Sequence, residues 1–168
     1  MSKMSRRGFL GGLLGGAATG GANAKEGEPD RALIPDFDKW QLSDEEWKAR
    51  LTQMQYRVLR LEDTERPGTS PLNDEKRKGV FACAGCGLEL FTSDTKYDSG
   101  TGWPSFFDYI PNTLGFKTDY KIIVPRLEYH CARCGGHQGH RFDDGPLDAT
   151  GKRYCNNGVA LTFIPAEA

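Results

Sequence analysis

The chain lacks several things, and each shortage narrows what it can be. Its 168 residues hold no basic run interleaved with aromatics, so no nucleic-acid partner is expected. Beyond the first two dozen residues there is no apolar stretch of membrane-spanning length, so no stable membrane anchor is expected there. Net charge is only −1, and the first 24 residues contribute Lys3, Arg6 and Arg7 without an acid. There is no internal repeat beyond two paired C-x-x-C units, and no low-complexity tract after residue 24. Histidine is scarce, three in all. What remains is ordinary: 38% hydrophobic and 27% charged residues, enough for one domain with a real core.

The N-terminus reads as an address. Ser5-Arg6-Arg7-Gly8-Phe9-Leu10 resembles the twin-arginine export signal, a Gly/Ala/Leu run follows to about Ala18, and Ala22-Asn23-Ala24 forms a small-x-small cleavage site. That order is the one found in removable signal peptides. Residues 1–24 are therefore expected to be a signal peptide cleaved after about Ala24. The twin-arginine machinery would be a partner and the periplasm the destination. The alternative is a Gly-rich tail in which two arginines happen to be adjacent.

Residues 25–72 read as an N-terminal arm and helix, and 73–168 as the main domain. Ser43 and Glu46 form a capping-box pair, and Trp47, Leu51, Met54, Val58 and Leu61 recur at three- and four-residue steps. The pattern predicts one amphipathic helix ending before Pro67-Gly68, its apolar stripe packed on the main domain. After Gly79 the period changes. Val80-Phe81, Leu88–Phe91, Tyr120–Val124, Leu127–Tyr129 and Val159–Phe163 are short β-type runs separated by Gly, Pro, Asn and Asp clusters. The expected fold is mainly β and antiparallel, with the helix outside.

Five cysteines divide four to one. Cys83-Ala-Gly-Cys86 and Cys131-Ala-Arg-Cys134 could supply the four thiolates of a closed tetrahedral site, each pair being followed by glycine as in zinc knuckles. One structural Zn2+ per chain is expected; iron would take the same ligands, and two disulfides are the alternative. With 44 residues between the pairs, the metal would staple two distant hairpins. The four thiols would then be spent on metal, leaving Cys155 free to react.

Cys155 stands two residues after Arg153 and two before Asn157, on one face if the segment is a strand. Arg153 could lower the thiol pKa, and a thiolate is the nucleophilic form. Asn157-Gly158 is also a hairpin-turn dipeptide, and a turn there would take Asn157 off that face. His137 and His140 bring groups suited to donating a proton near neutrality; His130, abutting Cys131, reads as a support or an exposed residue. Trp103 lies on a Gly-rich aromatic loop, a natural apolar pocket wall, unless these aromatics are simply core.

Together these segments resemble the B-type methionine sulfoxide reductases, over about residues 43–165. The carrying motifs are Cys83-x-x-Cys86-Gly87 with Leu90-Phe91, Lys96–Phe106, Cys131 through Pro146, and Thr150-Gly151-x-Arg153-Tyr154-Cys155-x-Asn157. The resemblance implies two antiparallel sheets around a structural zinc site held by Cys83, Cys86, Cys131 and Cys134, away from the active site. It implies Cys155 as the nucleophile toward methionine-R-sulfoxide and His140 with His137 as the proton donor. It further implies Arg153 stabilising the thiolate, and Asp144 and Asn157 orienting the histidines. Trp103 would hold the substrate methyl group, and Phe142 would also contact substrate. Substrates would be oxidised methionine residues in proteins or free methionine sulfoxide. Where many members carry a recycling cysteine this chain has Thr101, so a thioredoxin-like or other thiol reductant would have to reduce Cys155 directly. A non-catalytic zinc module binding partners through the aromatic loop, and a redox protein using its C-x-x-C pairs, are the competing readings.

Overall fold

The computed structural model describes residues 28–167, so the export-signal reading of 1–24 lies outside the described residues. Helix α1 spans Asp44–Arg50 and α2 spans Gln53–Leu61. Nine strands follow: β1 Gly79–Cys83, β2 Glu89–Thr92, β3 Lys96–Tyr97, β4 Ser105–Phe106, β5 Leu114–Asp119, β6 Arg126–Cys131, β7 His137–Phe142, β8 Arg153–Asn156 and β9 Leu161–Pro165. They form two antiparallel sheets, ordered β2-β1-β9 and β3-β4-β8-β7-β6-β5. The mainly β expectation holds. Among the described residues no helix is long and apolar enough to cross a membrane.

One expected helix is two. The Ser43/Glu46 capping box forms, but Thr52 and Gln55 form a second one and restart the chain after an extended Leu51. The break rotates the stripe: Trp47, Val58 and Leu59 are buried, while Met54 and Leu61 are exposed. Both helices still lie outside the sheets. Leu59 packs on the turns at Gly85 and Gly136, and Arg60 donates to the Cys134 carbonyl at 2.8 Å, so α2 covers the two cysteine turns.

The Tyr120–Val124 strand is not formed. Asp119 pairs with Arg126 and accepts from the Lys121 N–H at 2.8 Å, which closes a hairpin between β5 and β6. Tyr120, Ile122, Ile123 and Val124 stand exposed on the connecting loop. Ile122-Ile123-Val124 is continuous rather than alternating, and Pro125 has no N–H to give a ladder. The outer partner of β6 is Leu114–Asp119, whose glycine and polar residues mask its strand pattern.

The large sheet is a meander with a consequence for chemistry. The pairs Asp119↔Arg126 and Phe142↔Arg153 close the β5–β6 and β7–β8 connections, while His130↔His137 closes the β6–β7 turn containing Cys131 and Cys134. Successive antiparallel hairpins alternate ends. The two long loops therefore share one end of the sheet, and the cysteine turn lies at the other. A cluster of Phe81, Phe91, Phe106, Tyr129 and Tyr154 fills the space between the sheets, with Phe91 and Phe106 stacked at 4.1 Å.

Candidate active site and metal centre

The four C-x-x-C cysteines converge from both sheets: Cys83 ends β1 and Cys131 ends β6. All four sulfurs lie within 4.8 Å of one another and are buried, with Cys83–Cys134 at 3.7 Å and Cys86–Cys131 at 3.5 Å. A tetrahedron with Zn–S bonds of ~2.3 Å has edges of about 3.8 Å. Each turn ends in a left-handed glycine whose N–H returns to the first cysteine's carbonyl, Gly87 to Cys83 at 2.8 Å and Gly135 to Cys131 at 2.9 Å. The donor set is all sulfur, so the four cysteines form a site fit for a soft, thiophilic cation. None is disulfide-bonded.

Cys155 lies on β8 between two partners in register, Ser105 of β4 and His140 of β7. It opens into a cavity of about 240 Å³ lined by Thr64, Trp103, Arg126, His140, Phe142 and Asn157, among others. Burial pushes its thiol above the ordinary cysteine value; the Arg153 charge and hydrogen bonding from Thr101 and Arg153 pull the other way. Arg153 thus acts in the expected direction, and desolvation outweighs it. Its guanidinium forms a two-pronged pair with Asp144 at 2.8 and 2.9 Å and lies 4.3 Å from the Phe142 ring centroid. Thr101 belongs to a hydroxyl chain, Thr101–Ser99 at 2.8 Å and Ser99–Ser105 at 2.7 Å.

The histidines are held by residues the sequence did not single out. His140 Nε2 lies 2.7 Å from Asp119 Oδ2, which also takes Arg126 at 2.7 Å. The Lys121 backbone N–H, with His140 and Arg126, holds the Asp119 carboxyl well below the usual carboxylate range. Burial keeps the His140 imidazole below its ordinary value, with Asp119 opposing. His137 is buried behind it, the two rings 5.4 Å apart. Its Nδ1 is 3.0 Å from Glu128 Oε1, an ion-pair distance, but neither ring nitrogen has an aligned hydrogen-bond partner. His130 lies across Gly115 of β5.

Asp144 and Asn157 do not orient the histidines. Asp144 is engaged by Arg153, because both flank the β7–β8 loop. The side chain of Asn157 accepts from the Glu65 N–H at 3.0 Å and donates to the Gln138 carbonyl at 3.0 Å. No hairpin forms at Asn157-Gly158. Asn157 is extended, at φ −68° and ψ 119°, and leads into a 3-10 turn over Gly158–Ala160. Gly158 is there for close approach, since a Cβ would stand 1.9 Å from Ser70 Oγ.

Glu65 is the residue sequence reasoning missed. Its buried carboxylate accepts the Gly158 and Val159 N–H groups at 2.5 and 3.0 Å, and its carbonyl holds Trp103 Nε1 at 3.1 Å. One residue thereby fixes the pocket wall and the turn after the Cys155 strand. Only the oddity of a carboxylate just before Arg66-Pro67-Gly68 marked it, which is no signal.

The SelR domain model matches residues 51–165. The chain is 55% identical over 126 residues to "Peptide methionine sulfoxide reductase MsrB" of Methanosarcina barkeri (strain Fusaro / DSM 804), covering 74% of this chain and 88% of that one. It is 51% identical to the MsrB of Leifsonia xyli subsp. xyli over 74% and 91% of the two chains. To "Peptide methionine sulfoxide reductase B1, chloroplastic" of Arabidopsis thaliana it is 46% identical, over 88% and 73%. The crystal structure of a Mis18 'Yippee-like' domain overlays at a TM-score of 0.42 and 18% identity, covering 55% of this chain and 100% of that one, too slight a likeness to bear on fold or function. Matches of this extent, over the segments that carry the cavity and the four-cysteine cluster, show that the chain belongs to the SelR-domain family of MsrB-type peptide methionine sulfoxide reductases.

Proposed function

We propose that the protein reduces the R epimer of methionine sulfoxide, in proteins or free, through Cys155 and without a second cysteine. The single observation that carries the reading is Cys155 in a small apolar-walled cavity, directly opposite His140. At about 240 Å³ the cavity is smaller than the ~300–1,000 Å³ of sites for drug-sized ligands, and suits one side chain. Trp103 and Phe142 supply apolar surface for the S-methyl group.

The Cys155 sulfur attacks the sulfoxide sulfur, and the thiol proton, relayed through His140, goes to the oxygen. The S–O bond breaks and the hydroxyl passes to the Cys155 sulfur as the new S–S bond breaks, so methionine leaves and Cys155 is left as a sulfenic acid: the substrate sulfur gains two electrons and the cysteine loses two. With Nε2 of His140 on Asp119, Nδ1 is the nitrogen available to substrate. A buried thiol beside a neutral imidazole carries the same number of protons as a thiolate beside an imidazolium. The proton therefore needs only to move within the site when the polar sulfoxide arrives.

Two equivalents of a thiol, thioredoxin-like or small, then return the sulfenic acid to thiol, releasing water and a disulfide. The one-cysteine reading is supported by the other four cysteines being clustered together and buried at the far end of the sheet, and by Thr101 beside Cys155. Zinc is the cation we assign to the cluster, held by Cys83, Cys86, Cys131 and Cys134, where it would tie β1 to the β6–β7 turn. Its role is structural, because a full sulfur shell leaves no position for substrate. The N-terminal motif supports export to the periplasm by the twin-arginine route.

The test is turnover of separated R and S epimers of a methionine sulfoxide peptide, with dithiothreitol, by the parent and Cys155→Ser. R-only activity lost on substitution supports the reading. A folded, metal-loaded protein inactive on both epimers refutes it, as would an intramolecular disulfide at Cys155 after turnover for the one-cysteine route.

A further inference from the structure

The β5–β6 connection carries four large apolar side chains with nothing among the described residues to cover them. Tyr120 is 75% exposed, Ile122 50%, Ile123 102% and Val124 67%. Scattered apolar residues on a surface need no explanation, but a contiguous patch does. The loop is not loose at its base. Lys121 donates its N–H to Asp119 and its ammonium pairs with Glu62 at 2.5 Å, while Arg126 pairs with Asp119. The one charged residue in the run is thus used to pin it, and the apolar side chains project from a fixed stem.

That stem is part of the site. Asp119 holds His140, Arg126 lines the cavity, and Thr64, close in sequence to the Glu62 anchor, lines it too. The β7–β8 loop rises from Phe142 at the same end of the sheet and carries Leu147, 93% exposed. A side-chain-sized cavity leaves the rest of a polypeptide substrate outside, running over this rim. We infer that the Tyr120–Val124 loop is a docking surface for apolar residues flanking an oxidised methionine in a polypeptide, so that the protein discriminates among such segments by the side chains beside the sulfoxide. Methionine sits among apolar neighbours in protein cores, and its oxidation exposes such segments. The inference rests on the reductase reading above.

The experiment compares kcat/KM for N-acetyl methionine-R-sulfoxide, a peptide with Leu and Val flanking the sulfoxide, and one with Ser and Gln there. The parent protein is set against an Ile122→Ser/Ile123→Ser/Val124→Ser variant. The parent should favour the Leu/Val peptide by about tenfold, the size expected from burying roughly two methyl-sized groups. The variant should lose that preference and keep its rate on the N-acetyl amino acid. Undiminished preference in the variant, or an equal loss on all three substrates, overturns the docking surface while leaving the reductase reading intact. A parent inactive on every substrate overturns both. If sedimentation shows a dimer that the variant breaks while peptide preference stays, the loop belongs to a second copy and the inference fails.

Discussion

Glu65→Gln isolates what the buried carboxylate contributes. In the parent, two carboxylate oxygens accept the Gly158 and Val159 N–H groups, at the start of the turn that follows the Cys155 strand. Hydrogen bonds to a charged group contribute about 1.5–3 kcal/mol each, and a buried donor left unpaired costs about 1–3 kcal/mol. The amide keeps one acceptor and presents an NH2 to the other N–H, so one bond is lost and two donors face each other. The expected destabilisation is about 2–4 kcal/mol. With a urea m-value of ~2 kcal/mol/M, the unfolding midpoint of the metal-loaded protein should fall by about 1–2 M with m unchanged. Activity per folded molecule should also fall, by about tenfold, because the same segment positions Asn157 and Trp103 and small misplacements at a reacting centre are costly. A Gln variant within about 0.5 kcal/mol of the parent would refute the assignment, since the carboxylate would then be replaceable by any acceptor.

The pH dependence follows from two opposed shifts. Burial raises the Cys155 thiol and lowers the His140 imidazole, so kcat/KM should be flat through neutrality, fall below the ordinary histidine range and fall again above the ordinary cysteine range; Cys155 alkylation should rise only on the alkaline side, and thiolate absorbance at pH 7 would contradict this. His140→Gln should lower kcat/KM by ~10²–10⁴. Asp119→Asn, which keeps a partner for the ring but removes its charge, should lose less and move the acid limb to lower pH; an unmoved limb would separate Asp119 from the proton path. Removing metal from unfolded protein should release one zinc per chain and block refolding. Recovery of a metal-free chain with two disulfides would instead support the redox reading of the C-x-x-C pairs.

The four-cysteine cluster and the separate cavity cysteine are legible because they rest on residue type and short spacing: paired cysteines followed by glycine read as knuckles, and the odd cysteine stands apart. The groups that hold the histidines were not. Asp119 and Glu128 come from β5 and β6 and reach β7 only through sheet register. Register depends on which runs pair, and there the reading slipped: it took Tyr120–Val124 for a strand and missed Leu114–Asp119. Had β5 been placed, Asp119 would have fallen at its end, one strand removed from the strand that carries His140. The helix break was legible but unread, since Thr52-x-x-Gln55 repeats the same box as Ser43-x-x-Glu46. Glu65 could not be read at all, because its partners are backbone groups 93 and 94 residues away.

On the proposed reading, a chain that keeps one thiol reactive and gives four to a metal has to prevent the fifth from joining them. The meander does this with strand length. His137 follows the cysteine turn and His140 lies three residues further along β7, about 10 Å at ~3.3 Å per residue, with Cys155 opposite it. Separation alone would leave the two ends independent, yet Gln138 joins them. Fully buried, it donates from Nε2 to Cys83 Sγ at 3.3 Å, takes Asn156 Nδ2 on Oε1 at 3.3 Å, and takes the Asn157 N–H and amide on its carbonyl at 2.8 and 3.0 Å. A thiolate on metal remains an acceptor, so the Gln138 contact is compatible with a loaded site, and the residues after Cys155 are then tied to the staple at one step. A cation held there would have no orbital in the reaction. By holding Cys83 it would fix the glutamine that fixes Asn156 and Asn157, and so the far end would act on Cys155 through position alone.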